Sequence, residues 1–84
     1  MERFQGPKGS KQEQGFRDWC REHPNGFYLN YGSPTDMVLH RQDCPHLDPR
    51  KCPTTYEKFC STDKQELRQW AAQVGHLRDC PACM

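Results

Sequence analysis

The chain has 84 residues, of which 33% are hydrophobic, and its 12 lysines and arginines stand against 11 aspartates and glutamates. A chain of this length forms one domain at most and buries only about 60% of its unfolded surface, which excludes a large apolar core. It lacks the clear basic excess of proteins dedicated to phosphate backbones, and no run approaches the ~20 apolar residues of a membrane span. Six cysteines and four histidines are therefore the first candidates for a stabilising cross-link.

The first ten residues contain glycine, proline and serine without periodicity, which predicts a disordered tail over 1–10 and a single folded domain over 11–84. The same segment has no apolar run that could act as a signal peptide. We therefore expect a cytoplasmic protein, in which thiols stay reduced and bind metal more readily than they form disulfides.

An amphipathic helix is predicted between residues 11 and 23, because Phe16, Trp19 and Cys20 fall at i, i+3 and i+4. The sequence HPNG at 23–26 ends it, since a proline disfavours helical geometry at the preceding residue and Asn-Gly is a turn signal.

Strands are predicted next, at 26–31 and 37–40, with a short third strand at 56–60. Phe27, Leu29 and Tyr31 share one face of the first strand by alternation. The first two strands are short, close in sequence and expected to pair antiparallel.

The second helix carries the best local signal. Thr62 with Gln65, or Asp63 with Glu66, can form a capping box, and Gly75 supplies a C-terminal stop. Apolar residues recur between them at i, i+3, i+4 and i+7, namely Leu67, Trp70, Ala71 and Val74. The predicted fold is a small α+β domain: an N-terminal helix, a two- or three-stranded antiparallel sheet, and a C-terminal helix ending in a Cys-x-x-Cys knuckle.

Two ligand pairs suggest a metal site. His40 and Cys44 are separated by three residues, and Cys80 and Cys83 by two. Each pair can reach one ion, and a closed set of four Cys/His donors is typical of structural zinc. Other residues can replace one of the four, with Cys52 the strongest substitute, followed by His46, Cys60 and His76. Cys60 and Cys20 fit better as small buried apolar residues.

The segments "MVLHRQDCPHL", "KFCSTDKQEL" and "AAQVGHLRDCPACM" together resemble the Ada-like metal-binding module over residues 37–84. The resemblance implies one zinc ion bound by His40, Cys44, Cys80 and Cys83, and it suggests DNA binding. The preceding segment "FRDWCREHPNGFYLN" resembles the helix–strand extensions of small modules in bacterial nucleic-acid-processing proteins, which suggests an accessory domain of such a system. In the DNA-repair members, the first ligand is a cysteine that accepts a methyl group. Here that position is His40, so we expect the metal without the methyl transfer.

A closed site leaves no position for a catalytic water, so no enzyme is expected. For nucleic acid, the candidate contacts are basic residues around the metal: Arg41, Arg50, Lys51, Lys64 and Arg68. The alternative is a zinc-stabilised protein-interaction or structural module, with Phe27, Tyr28 or Tyr31 as aromatic anchors. We expect a monomer that contacts DNA weakly, or a partner protein, and no membrane.

Overall fold

The computed structural model describes residues 1–45 and 52–84. One five-stranded sheet runs through the described part of the chain, with an α-helix against each face. The elements in chain order are β1 (Glu2–Phe4), α1 (Lys11–Glu22), β2 (Phe27–Ser33), β3 (Asp36–Arg41), a 3-10 turn (Pro53–Thr55), β4 (Glu57–Ser61), α2 (Lys64–Val74) and β5 (Leu77–Asp79). The α+β class is confirmed.

The sheet has the order β1-β4-β2-β3-β5. The pair β2–β3 is antiparallel as expected, and β4 pairs antiparallel with the other side of β2. The sheet is larger than predicted because two three-residue strands complete its edges. One of them, β5, runs parallel to β3, so the sheet is mixed. It also separates α2 from the Cys-x-x-Cys sequence, and the helix does not end directly in that sequence as predicted.

The N-terminal segment differs from the expected disordered tail. Glu2–Phe4 pair antiparallel with β4, and the Gly6 N–H donates to the Thr54 carbonyl at 3.0 Å. Ser10 caps α1 by accepting from the Glu13 N–H at 3.2 Å. Three residues are too few to show the alternation that identifies a strand in a sequence. The strand forms because β4 offers an open edge for it to pair with.

The two faces of the sheet hold separate apolar clusters, since successive residues of a strand point to opposite faces. Tyr28 of β2 packs with α1, and Leu29 packs with α2. The α1 cluster consists of Phe16, Trp19, Tyr28 and Cys60. The α2 cluster consists of Leu29, Met37, Leu39, Phe59, Leu67 and Ala71.

Both ends of α2 lie at the residues that the sequence predicts, but Gly75 is required at the C-terminal end for a different physical reason. Asp63 is the N-cap and accepts from the Gln65 N–H at 2.9 Å. Gly75 ends the helix, but its φ of 176° is extended backbone that any residue adopts. Glycine is needed there because an added Cβ would lie 1.9 Å from the Pro34 carbonyl oxygen in the β2–β3 turn. Neither helix of the described residues has the length and apolar character that crossing a membrane requires.

One charged side chain is buried within the sheet. Lys58 of β4 is 5% exposed, its ammonium donates to Asn30 Oδ1, and it lies 5.9 Å from the centroid of the Tyr28 ring. Burial lowers the pKa of Lys58 to about 8, against the opposing effect of the Cys60 and Cys52 thiols. The folded chain therefore holds this proton less tightly than the unfolded chain.

This burial predicts a pH-dependent gain from Lys58→Met. The unfolded chain binds more protons between about pH 8 and the ordinary lysine value of about 10.4, so stability rises with pH in this window. We expect the substitution to raise the free energy of unfolding at pH 7 by roughly 1–3 kcal/mol. Urea titrations should show that gain shrinking as the pH approaches 10. Lys11→Met, on an exposed position of α1, is the control. A loss of stability that is equal at every pH would contradict the assignment.

Candidate metal centre

The parallel pairing of β3 and β5 brings the two predicted ligand pairs to one edge of the sheet. His40 lies near the end of β3, and Cys44 lies in the turn that follows. Cys80 comes directly after β5, and Cys83 is in the terminal turn. The ligand atoms of these four residues all lie within 4.8 Å of one another. They are therefore close enough to hold one metal ion.

Backbone hydrogen bonds fix both ligand-bearing turns. The Cys44 N–H donates to the Arg41 carbonyl at 3.1 Å, which closes the turn after β3. The Cys80 N–H donates to the Leu39 carbonyl at 2.9 Å and extends the β3–β5 pairing by one residue. The Cys83 and Met84 N–H groups return to the Cys80 carbonyl at 3.4 and 3.0 Å. Neither turn depends on the metal for its hydrogen bonds.

The distance between the Cys44 and Cys80 sulfurs fits two thiolates in a tetrahedral site. Cys44 Sγ lies 3.7 Å from Cys80 Sγ, which is far beyond the ~2.05 Å of a disulfide. Two thiolates bound to one zinc at about 2.3 Å in a tetrahedron stand about 3.8 Å apart. Cys44 and Cys80 are 4% and 1% exposed, while His40 and Cys83 are half-buried. The site thus has a buried side and a side that solvent reaches.

The surroundings of Cys80 favour ionisation of its thiol. Burial opposes the charged form of Cys80, but the Ala82 N–H and the thiols of Cys44 and Cys83 outweigh it, so the pKa of Cys80 is lowered. The Arg41 N–H donates to Cys83 Sγ at 3.3 Å. Thiolate is the form of cysteine that binds a metal, so these donors prepare the site for binding.

A stacked ring pair joins the site to the α1 cluster. Tyr28 and His40 are register partners in β2 and β3, and their rings stack at 4.9 Å with an interplanar angle of 23°. Tyr28 is 2% exposed, and burial together with the neighbouring thiols raises its pKa. The expectation that Tyr28 is an exposed anchor is therefore wrong. The alternation of β2, which places it opposite to Phe27 and Leu29, is the signal that could have revealed its role.

The residues that could have replaced one of the four ligands lie away from the site, as far as the structure describes them. Cys52 contacts the Gly6 carbonyl at 3.6 Å and Thr54 Oγ1 at 3.4 Å. Cys60 belongs to the α1 cluster with Cys20 packed against it, and burial raises the pKa of Cys20 to about 11. His76 is exposed just before β5, and its N–H donates to the Pro34 carbonyl at 2.9 Å. His46 lies outside the described residues.

The candidate nucleic-acid contacts are only partly brought together. Arg41 and Lys64 line one surface depression beside Cys83. Arg68 lies one turn further along α2 and forms an ion pair with Asp79 at 3.1 Å. Arg50 and Lys51 lie outside the described residues. Of the five candidate contacts, the described residues therefore place two beside the metal site, Arg41 and Lys64, and a third, Arg68, in an exposed ion pair.

The chain matches no protein-family model, no curated protein and no solved structure. The resemblance to the Ada-like module stays a prediction. The fold and the Cys3His cluster therefore have to carry the functional conclusion by themselves.

Proposed function

We propose that the chain is a non-catalytic zinc-binding module that contacts nucleic acid. The zinc site is supported by the convergence of four ligand atoms, those of His40, Cys44, Cys80 and Cys83, within 4.8 Å of one another. Three thiolates and one imidazole in a tetrahedron favour Zn²⁺ over harder ions, which prefer oxygen ligands. Four protein ligands also close the coordination shell, so a metal-bound water has no place.

The zinc would act as a structural cross-link. When bound, it neutralises most of the thiolate charge and joins the end of β3 to the end of β5. This chain's own residues would orient the ligands around the ion, through the Leu39–Cys80 and Arg41–Cys83 hydrogen bonds. The ion therefore holds a small sheet whose edge strand has only three residues.

The support for nucleic acid is the position of Arg41. Its carbonyl and N–H are both held by ligand cysteines, at 3.1 and 3.3 Å. The side chain is 57% exposed, and its guanidinium lies 3.7 Å from the Asp43 carboxylate. An exposed pair of this kind contributes about 0–1 kcal/mol and is screened by salt, so a phosphate can replace the carboxylate. Lys64 on the same depression adds a second cation.

Retention on immobilised DNA tests this proposal. We expect the zinc-loaded chain to bind at low salt and to elute at moderate salt, because it neutralises few phosphates. The double variant Arg41→Ala, Lys64→Ala should lower the slope of log K against log salt by about 0.7–0.9 for each phosphate that is no longer neutralised, with zinc content unchanged. Arg78→Ala is the matched control, since Arg78 is exposed and pairs with Asp36.

The alternative is a protein-interaction module, and the charge pairing of the surface favours it. Arg3, Arg68 and Arg78 each face a carboxylate, at 2.6, 3.1 and 3.3 Å. Tyr56, 59% exposed, offers an aromatic anchor. A wild-type chain that is not retained on DNA even at low salt would leave this alternative in place of nucleic acid.

A further inference from the structure

Two surface depressions adjoin the metal centre and share Arg41, Cys83 and Met84. The larger, about 370 Å³, also includes Asp43, so it holds charges of both signs. The smaller, about 260 Å³, adds Phe27 and Lys64 to the shared residues. Among the described residues, this smaller depression is lined by two cations and an aromatic ring, and by no carboxylate side chain.

We propose that the smaller depression is a subsite for single-stranded nucleic acid, in which Arg41 and Lys64 hold one phosphate and the adjoining base stacks on Phe27. The inference rests on the nucleic-acid function proposed above and specifies the form of nucleic acid that the site takes.

The phosphate position comes from two cations on different elements. Arg41 ends β3, and the ligand cysteines hold its backbone. Lys64 is the first residue of α2, and its ammonium lies 5.9 Å from the centroid of the Phe27 ring. Lysine is a flexible point charge, whereas arginine offers a planar fork of donors. Together they can grip one phosphate from two sides.

The base position comes from Phe27. Its ring is half-buried at the start of β2 and packs against the α2 cluster, and the Lys64 ammonium lies over it at 5.9 Å. A base that stacks on this ring would therefore take the place of the ammonium, which would move to the phosphate. A base that stacks on such a ring needs no hydrogen-bond match, because every base has a π-face. We therefore expect little sequence preference.

A single strand is favoured because the faces of paired bases are covered by their neighbours in a duplex. An unpaired base can turn its face to a protein ring without the cost of unstacking a duplex. The volume of about 260 Å³ is also below the roughly 300–1,000 Å³ of enclosed small-molecule sites. A short segment of a longer nucleic-acid strand therefore fits this depression better than a free small molecule, which needs a pocket that encloses it.

The charge balance limits the site to weak binding. A zinc ion with three thiolates and a neutral imidazole adds about −1 beside the two cations. The Asp43 carboxylate, 3.7 Å from the Arg41 guanidinium, adds a further negative charge, so the local charge is near zero and does not attract a long tract. The discrimination between single and double strands should then come mainly from stacking on Phe27.

Fluorescence anisotropy at low salt, with a labelled oligothymidylate and a labelled hairpin duplex, tests the subsite on the zinc-loaded chain. Wild-type protein should bind the single strand about tenfold more tightly than the duplex, since base–aromatic stacking is worth roughly fivefold or more in affinity. Phe27→Leu should remove this preference and leave duplex binding unchanged. Lys64→Gln should lower the single-strand salt slope by about 0.7.

Two controls match these variants. Tyr56→Leu removes an exposed ring outside the depression, and Lys11→Gln removes the lysine that begins α1 as Lys64 begins α2. Neither should change the affinity for the single strand. Zinc content and circular dichroism report whether Phe27→Leu remains folded, and Lys64→Gln, on an exposed position, tests the phosphate interaction independently.

The results of these measurements distinguish failure of the single-strand subsite from failure of nucleic-acid binding as a whole. Equal affinity for both probes, an unchanged preference in Phe27→Leu, or an unchanged slope in Lys64→Gln would overturn the subsite and leave nucleic-acid binding intact. A preference abolished by Tyr56→Leu would overturn it as well, because the stacking ring would then lie elsewhere. Absence of binding to either probe would overturn both proposals in favour of a protein partner.

Discussion

Cys80→Ser is expected to abolish metal binding and to unfold most of the chain. Cys80 is 1% exposed, its sulfur lies 3.7 Å from that of Cys44, and its N–H extends the β3–β5 pairing. A hydroxyl is a much poorer zinc ligand than a thiolate. Structural zinc contributes about 10–16 kcal/mol in zinc-finger peptides, which is comparable to the roughly 5–15 kcal/mol by which whole domains are stable.

Elemental analysis and circular dichroism measure both effects. The wild-type chain should carry one zinc, and removal of the zinc by a chelator should reproduce the unfolding seen in Cys80→Ser. Cys60→Ser is the matched control, because Cys60 is 0% exposed but belongs to the α1 cluster. It should retain zinc and lose only about 1–3 kcal/mol. Release of zinc by Cys60→Ser, with retention by His40→Ala, would show that the ligand set is wrong.

The second large effect is expected from Gly75→Ala. An added Cβ would lie 1.9 Å from the Pro34 carbonyl oxygen and 2.7 Å from its carbonyl carbon. Both are backbone atoms, so α2 and β5 have to move away from the β2–β3 turn. Forced displacement in a packed region costs about 1–3 kcal/mol, and occasionally more. We expect a loss of about 3 kcal/mol or more here, since no flexible side chain can give way.

The displacement should also reach the metal, because β5 carries Cys80 towards His40 and Cys44. Competition with a chromophoric chelator should therefore show weaker zinc binding in Gly75→Ala, alongside a lower midpoint of thermal unfolding. Gly9→Ala is the comparison: its φ is +82°, and no atom lies within 4 Å of an added Cβ. There only backbone strain of about 1–2 kcal/mol is expected, without an effect on zinc. An unchanged midpoint in Gly75→Ala would contradict the close approach.

The ligand pairs could be predicted from sequence because their spacing is local. His40 and Cys44 share one turn, as do Cys80 and Cys83, and each pair is visible without knowledge of the fold. Their convergence depends on β5, which pairs with β3 across some forty residues. Three residues, Leu77, Arg78 and Asp79, carry no periodic signal of a strand. The four residues that converge could therefore be predicted, and the topology that brings them together could not.

Gly75 also separates what the local sequence predicts from what only the folded structure reveals. The end of α2 was predicted correctly, because glycine commonly follows a helix. The physical reason was different, since the left-handed backbone that usually explains such a glycine is absent. The requirement comes from Pro34, a residue far away in sequence, and only the packed structure reveals it.

The order of the strands also bears on how the protein behaves without its metal. Both sheet edges are strands of only three residues, β1 and β5, and short edges discourage pairing between molecules. Detachment of β5 would expose the full length of β3, whose six residues include the buried Met37 and Leu39. Such an edge is a template for a strand from another chain. We therefore expect self-association through β3 as the metal is removed and the chain begins to unfold, more so at higher concentration, and a bound metal ion would then protect solubility as well as structure.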